Sequence, residues 1–315
     1  MENSKKQRNS AFFLFVLLGM LTAFGPFVTD MYLPSLPAMM DYFSTSASMV
    51  QLGLTFSMLG LAAGQIIFGP LSDKYGRKKP LLISMFLFLV STVSCIFAPS
   101  IEIFVLLRFV QGIAGAGGIV ISRSIATDKF KGRNLATALA IIGAINGIAP
   151  VIAPVTGGAV LRITSWHGVF VVLFFAGIAL TAGCLYFNES LSIMRRSKEK
   201  LSKTLSLFKF VLKNRKFVSC VLQMAFAQAI LFGYISSSPF IIQQHYGFSP
   251  FAFSLFFGIN SVAIVSGAAI AVKFKRQETG IYTSCIGMLI CGALELIALS
   301  NGASIILYEA LILIL

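Results

Sequence analysis

Four ionisable residues interrupt apolar segments of the chain: Asp30, Arg108, Glu295 and Glu309. A charged side chain is costly to place in an apolar interior, so each of the four needs a partner or a purpose. A carboxyl group in such surroundings can exchange a proton or attract a cation, whereas an arginine remains protonated. The sequence therefore predicts electrostatic chemistry inside the protein.

Asp30 and Arg108 are expected at similar depth. Asp30 lies near the end of the first apolar segment, and Arg108 lies roughly 10 Å into the fourth at 1.5 Å per residue. Gln111 follows Arg108 by one helical turn and shares its face. Two interpretations are open: a proton-sensitive carboxylate with Arg108 as its electrostatic partner, or a fixed ion pair that holds two helices together.

Glu295 and Glu309 are weaker candidates for such chemistry. Either residue could line a cavity in the second half of the chain, or lie hydrated near an interface. The two histidines are isolated, and the five cysteines lie within or at the ends of apolar segments without a CxxC spacing. We therefore predict no catalytic residue, no metal site and no enzyme activity.

Residues 69–80 (GPLSDKYGRKKP) concentrate charge between two apolar segments. The glycines allow tight backbone paths, and Pro70 and Pro80 disfavour helix, so we expect a short turn between antiparallel helices. Its cations are Lys74, Arg77, Lys78 and Lys79. Membrane topology explains these cations but does not explain the lone acid, Asp73.

Repeated helix breakers mark the apolar segment 135–161, and they are Gly143, Gly147, Pro150, Pro154, Gly157 and Gly158. Prolines remove backbone hydrogen bonds and kink a helix, whereas Gly143 and Gly147 form a GxxxG face for close helix packing. A purely structural kink needs only one proline. The segment therefore predicts a helix that bends as the protein changes state, or that packs very closely against a partner.

Composition identifies the elements that must position these residues. Of 315 residues, 57% are hydrophobic and 11% are charged, compared with about 25% charged in a soluble domain. The mean hydropathy is +0.88. The chain is predicted to be an all-α polytopic membrane protein. Ten candidate spans follow at about 20 residues each: 11–33, 49–68, 81–97, 101–121, 135–161, 168–187, 217–240, 251–272, 281–299 and 304–315.

The spans form two groups. We predict a six-helix N-terminal bundle at 11–187, a basic loop at 188–216, and an incomplete C-terminal bundle of about four spans at 217–315. The last apolar run stops after about 12 residues, so we expect a C-terminally truncated chain. Residues 201–212 within the loop suggest an amphipathic helix on the membrane surface or a solvated linker.

Charge asymmetry predicts the orientation. Nearly all Lys and Arg residues fall in loops on one side, so residues 1–10 and the central loop are expected to be cytoplasmic. The net charge of +14 thus reflects topology rather than a nucleic-acid surface.

Four motifs, in order and on the expected spans, resemble those of one transporter family. They are TDxYLPxxP at 29–37, GxLSDxxGRK at 69–78, LRxxQG at 107–112, and GxxxGxxP at 143–150, followed by Gly157 and Gly158. The chain is similar to the major facilitator superfamily, its drug:proton antiporters and their bicyclomycin/chloramphenicol-resistance (Bcr/CflA) subgroup. The basic loop from Lys273 to Glu278 lacks the Asp and the paired glycines of the second-half counterpart of the 69–78 motif.

The resemblance implies a proton-coupled antiporter of the cell inner membrane that exports drugs or small organic compounds by alternating access. It implies a proton-coupling and substrate cavity at Asp30, Tyr32, Arg108 and Gln111. It implies a cytoplasmic gate at Gly69, Asp73, Gly76, Arg77 and Lys78, and an antiporter helix motif at Gly143, Gly147, Pro150, Pro154, Gly157 and Gly158. Glu295 and Glu309 are possible cavity residues in the second half of the chain.

Expected partners are a small drug-like substrate and the lipid bilayer. No nucleic acid and no obligate protein partner is expected. No cofactor other than the coupling proton is expected either, since no GxxxxGK phosphate-binding loop is present. Two functional alternatives remain open: export of an endogenous metabolite such as an amino acid, and an inactive truncated fragment.

Overall fold

The protein is described by a computed structural model that covers residues 9–198, 210–271, 277–302 and 304–314. These residues form eleven α-helices. The first seven are α1 (Ala11–Asp30), α2 (Leu36–Tyr42), α3 (Ala47–Tyr75), α4 (Lys78–Ile96), α5 (Ile101–Lys129), α6 (Gly132–Leu161) and α7 (Trp166–Tyr186). The last four are α8 (Arg215–Phe240), α9 (Pro250–Ala271), α10 (Gln277–Ser300) and α11 (Ile305–Ile314). A 3₁₀ turn (Leu33–Ser35) joins α1 to α2, and a π-helical turn (Ile241–His245) extends α8.

The predicted fold class is confirmed. Within the described residues, seven helices are long and apolar enough to cross a membrane, namely α1 with its extension to Tyr42, α3 to α7, and α8 with its extension. Each of the ten candidate spans corresponds to one helix, and α9, α10 and α11 occupy the last three. Apolar run length thus located ten of the eleven described helices, because a membrane-spanning helix must be apolar along its length, whereas the short α2 was not predicted.

The first bundle, α1 to α7, is organised around α5, which packs against α1, α3 and α4. The contact between α3 and α5 is made through glycines. A Cβ atom built on Gly60 would overlap the Phe109 carbonyl, and one built on Gly112 would overlap the Ser57 carbonyl. The two backbones touch here because neither residue has a side chain, as is usual for membrane helices.

The predicted turn at 69–80 is much shorter than expected. Helix α3 continues through Pro70 to Tyr75, and α4 begins at Lys78, so only Gly76 and Arg77 lie between them. Pro80 falls in the first turn of α4, where a missing backbone N–H costs little. The prediction that both prolines exclude helix was wrong, whereas the antiparallel arrangement of tightly linked helices is present.

The glycines of α6 do not all pack as predicted. The helix is continuous through Pro150 and Pro154, but Gly143 and Gly147 are exposed, and no atom lies within 4 Å of a Cβ built on either. The predicted GxxxG packing face is therefore not formed in the described part of the chain. Close packing occurs instead one to two turns after the prolines, at Gly157 and Gly158.

Gly157 and Gly158 join α6 to different parts of the protein. A Cβ on Gly157 would overlap the Met31 carbonyl at the end of α1, and a Cβ on Gly158 would overlap Ser254 of α9. The end of α6 is thus held between the first bundle and the second bundle (α8 to α11).

The two bundles contact each other at the end of the molecule away from Gly76 and Arg77, which we call the distal end. Gln51 donates a hydrogen bond to the Ser236 carbonyl (2.9 Å), and Gln243 donates one to the Pro34 carbonyl (3.0 Å). At the opposite, basic end, residues 215–230 of α8 contain no buried residue. Among the described residues, the side-chain hydrogen bonds between the two bundles therefore lie at the distal end.

Several predictions fall outside the described residues. The predicted amphipathic helix lies mostly within 199–209, and the basic residues at 1–8 and 273–276 are likewise not described.

Candidate functional site

Arg108 is the centre of a buried polar network in the first bundle. Its side chain is fully buried, and its Nη2 donates a hydrogen bond to the Val28 carbonyl of α1 at 2.9 Å. Its Nη1 donates to Oε1 of Gln111, one turn away on α5. The guanidinium also lies 4.2 Å from the centre of the Tyr32 ring, within the range of cation–π attraction.

Gln111 extends this network to a third helix. Its Nε2 donates to the Thr92 hydroxyl at 2.7 Å, and that hydroxyl donates to the Phe88 carbonyl of α4 at 2.7 Å. Three helices, α1, α4 and α5, are therefore tied together through two buried side chains of the LRxxQG motif. The structure brings the predicted residues Arg108, Gln111 and Tyr32 into direct contact.

Asp30 lies beside this network without forming an ion pair to it. It is the last residue of α1 and is only 6% exposed. Both Asp30 and Arg108 are described, and no carboxylate oxygen of the first lies within 4.0 Å of a nitrogen of the second. The alternative interpretation of a fixed Asp30–Arg108 ion pair was therefore wrong.

Arg108 can therefore act on the Asp30 carboxyl group only at a distance beyond that of an ion pair. The hydrogen bonds of Arg108 are made to neutral groups, since Val28 contributes a carbonyl and Gln111 an amide oxygen. The carboxyl group of Asp30 can consequently gain or lose a proton without breaking a salt bridge.

A second network surrounds the two-residue turn at the basic end. Arg77, with a side chain 7% exposed, forms ion pairs with Asp73 at 2.5 Å and with Asp128 at 2.8 Å. It also donates to the hydroxyl of Ser72 at 2.8 Å. Burial alone would lower the pKa of Arg77, but hydrogen bonds to Asp128 and Asp73 outweigh it and raise that pKa. Arg77 therefore stays cationic and joins α3 to the carboxyl end of α5.

Glu189 completes this network from the segment after α7. Its carboxylate accepts hydrogen bonds from the backbone N–H groups of Arg77 (2.9 Å) and Lys78 (3.2 Å), at the start of α4. A carboxylate is favourable there because a helix N-terminus carries unpaired N–H groups and partial positive charge.

Gly76 is required for this arrangement. It has a φ of +91°, and a Cβ on it would overlap Glu189. The other two residues of the predicted gate have separate contacts. The side chain of Lys78 donates a hydrogen bond to the Leu185 carbonyl near the end of α7 at 2.6 Å. The carbonyl of Gly69 accepts a hydrogen bond from the Ser72 hydroxyl.

The described side-chain partners of the Arg77 guanidinium all belong to the first bundle, and only its backbone N–H meets Glu189 in the segment after α7. The acceptor for the backbone N–H groups at the start of α4 is Glu189 and not the gate residue Asp73. Asp128 and Glu189 were missed by sequence reasoning. The signal for Asp128 was a lone acid among the cations between spans four and five, and Glu189 directly follows span six.

Replacing Arg77 with alanine is expected to lower the free energy of unfolding by about 2 kcal/mol, because Asp128 would lose its cation at the carboxyl end of α5. Denaturant unfolding followed by the fluorescence of Trp166, the single tryptophan, measures this. Arg123→Ala, an exposed cation on the same helix, is the control and should change stability by less than about 0.5 kcal/mol. Equal effects of the two variants would show that the network does not stabilise the bundle.

The two predicted cavity residues of the second bundle, Glu295 and Glu309, have no described contact with Asp30 or Arg108. Glu309 of α11 is 7% exposed and accepts a hydrogen bond from Asn260 of α9, whereas Glu295 of α10 is half-buried. No described hydrogen bond or ion pair connects either glutamate to Asp30. Within the residues that the structure covers, no group of three His, Cys, Asp or Glu side chains could hold a metal ion.

Comparison with known proteins places this geometry in a family. A family model described as Major Facilitator Superfamily matches residues 12–315. An uncharacterized MFS-type transporter, YdgK, of Bacillus subtilis is 42% identical over 261 residues, which cover 82% of this chain and 65% of the relative. A bicyclomycin resistance protein homolog of Haemophilus influenzae is 28% identical over 273 residues, covering 86% and 68%. The chain thus spans about two thirds of the length of these relatives.

The crystal structure of a D-xylose–proton symporter superposes with a TM-score of 0.73 at 16% identity, covering 97% of this chain and 79% of the symporter. At this identity the likeness concerns the fold alone.

Proposed function

The chain belongs to the major facilitator superfamily, and from this premise we propose that it takes part in proton-coupled export of drugs or small organic compounds across the cell inner membrane. The relative named for bicyclomycin resistance supports a drug as the transported compound. A membrane transporter rather than an enzyme is the corresponding activity class.

The observation that carries the proposal is the buried carboxyl group of Asp30, which forms no ion pair and lies beside the fixed cation of Arg108. Neutral and ionised Asp30 are both accommodated, because the arginine already has neutral hydrogen-bond partners and a ring beneath it. Protonation would therefore change the local charge without dismantling the network. This is the behaviour required of a group that exchanges a proton for a substrate.

Alternating access would couple that charge change to movement. The end of α1 meets α6 through the Met31 carbonyl and Gly157, and α6 meets the second bundle through Gly158. Asp30 is one residue from Met31, so its protonation acts next to the junction of the bundles. Contacts between the bundles at the distal end are the arrangement expected of an inward-facing state, if the basic end is cytoplasmic as its charge predicts.

The proposal is tested by proton release from acid-loaded vesicles that contain the full-length protein. Adding ethidium, a lipophilic cation, should dissipate the proton gradient with the unaltered protein, and Asp30→Asn should abolish this response because amide replaces the titrating group. Asp41→Asn, an exposed aspartate on α2, is the matched control and should respond normally. Normal coupling in Asp30→Asn, with equal protein levels, would refute the role of Asp30.

A further inference from the structure

A second buried polar cluster lies in the second bundle, and its members are Tyr234 of α8, Asn260 of α9 and Glu309 of α11. The Nδ2 of Asn260 donates to the Tyr234 hydroxyl oxygen at 2.6 Å and to Oε2 of Glu309 at 2.9 Å. Asn260 is 3% exposed and Glu309 is 7% exposed. We call these three residues the Asn260 cluster. It is built from three helices that are distant in sequence, so only tertiary packing assembles it.

The Asn260 cluster has more acceptors than donors. Oδ1 of Asn260 and Oε1 of Glu309 are buried, and neither has a hydrogen-bond partner among the residues that the structure describes. In the same part of the chain, no Lys, Arg or His nitrogen lies within 4.0 Å of Glu309. A buried acceptor without a partner costs about 1–3 kcal/mol, and a buried carboxylate costs more. The cluster therefore favours a ligand that brings positive charge and hydrogen-bond donors.

Aromatic rings lie on the same elements as the Asn260 cluster. The Tyr234 ring stacks on Phe257 with centroids 6.1 Å apart and planes 11° apart, and Tyr308, directly before Glu309, lies 6.0 Å from the Tyr246 ring. Ring faces attract cations, and they do so most strongly when water is excluded. Ca²⁺ or Mg²⁺ would instead require several oxygen ligands. The combination of carboxylate and rings thus fits an organic ammonium better than a metal ion.

Glu295 adds a second negative charge nearby. It lies on α10, which packs against α11, and it is half-buried. A half-buried carboxylate next to a buried one provides a more accessible first contact for a cation that moves inwards. Two carboxylates with no described cation between them also repel each other, and a bound cation would relieve that repulsion.

We propose that the Asn260 cluster is a binding site for the cationic group of an organic ammonium compound, with Glu309 as its counter-ion and Tyr234 as a ring contact. That this compound is transported rests on the function proposed above, whereas its binding does not. The site lies in the second bundle and is separate from Asp30.

Equilibrium binding of ethidium, a quaternary nitrogen cation that also carries amino groups, to the purified full-length protein tests the site. Glu309→Gln keeps the shape of the side chain and removes its charge, so we expect the Kd to rise at least about tenfold. Glu102→Gln, an exposed carboxylate on α5, should leave the Kd unchanged. Binding of neutral chloramphenicol should not depend on Glu309.

Two results overturn the proposal. One is a Kd of Glu309→Gln for the cation within twofold of that of the unaltered protein, and the other is no binding of the cation by the unaltered protein.

A pair of Tyr234 variants keeps the test decisive if Glu309→Gln fails to fold, which Trp166 fluorescence would reveal. Tyr234→Phe retains the ring and should bind the cation nearly normally, whereas Tyr234→Leu should weaken binding severalfold. Equal binding by both variants would contradict the ring contact. A protein that binds the cation but exchanges no protons would refute the proposed antiport and leave this site intact.

Discussion

Replacing Arg108 with alanine is expected to lower the free energy of unfolding by about 3–5 kcal/mol, the largest effect of any single substitution considered for this protein. The change leaves the Val28 carbonyl and the Gln111 amide oxygen without their donor in a fully buried site. It also removes the cation above the Tyr32 ring and opens a cavity of arginine size. Denaturant unfolding monitored through Trp166 measures the loss, because this residue packs against Phe104 of α5.

Arg108→Lys separates charge from geometry. Lysine preserves the positive charge but lacks the planar fork that reaches Val28 and Gln111 together. We expect a stability between those of the unaltered protein and Arg108→Ala. If Arg108→Lys is as stable as the unaltered protein, charge alone matters. If Arg108→Ala loses less than about 1 kcal/mol, the network is not a structural centre of the first bundle.

Gly112→Ala is expected to destabilise the first bundle by about 1–3 kcal/mol, and Gly112→Val by more. The added Cβ would overlap the Ser57 carbonyl, and backbone atoms cannot move aside unless the two helices separate. In most helices the same change is stabilising by up to about 1 kcal/mol, because alanine has the higher helix propensity. The sign of the effect therefore reports the contact between α3 and α5.

Gly147→Ala is the matched control for that contact. Gly147 is also a glycine within a long membrane helix, but no atom lies within 4 Å of a Cβ built there. We expect Gly147→Ala to be neutral or slightly stabilising. Comparison of the melting temperatures of both purified variants decides the matter. Destabilisation by Gly147→Ala to the same extent would mean that α6 packs there against a surface that the described contacts do not contain.

Part of the candidate site was predictable from residue type. Arg108 and Gln111 stand out because a charged residue and an amide one turn apart, within an apolar run, must satisfy each other or a neighbour. Their contact is present in the structure. The partner of Arg108 was not predictable, because it is a backbone carbonyl of Val28, and every residue offers such a carbonyl.

The errors share a physical cause. A GxxxG spacing states only that two glycines lie on one helix face, and it does not state what that face meets. Gly143 and Gly147 face open space in the described structure, whereas another GxxxG pair, Gly60 and Gly64 of α3, lies against the backbone of α5. Similarly, Pro70 was expected to end a helix that in fact continues to Tyr75. Tertiary packing can outweigh such local preferences.

The sequence by itself determined the helices, their order and the few charges that the apolar interior must accommodate, because the lipid solvent imposes length and apolarity on every span. Only the tertiary structure decided which of these charges pair. Asp30 remains unpaired beside Arg108, Arg77 joins Asp128, and Glu309 meets Asn260. Pairing depends on distances of a few ångströms between helices far apart in the chain, and spacing along one helix does not specify those distances.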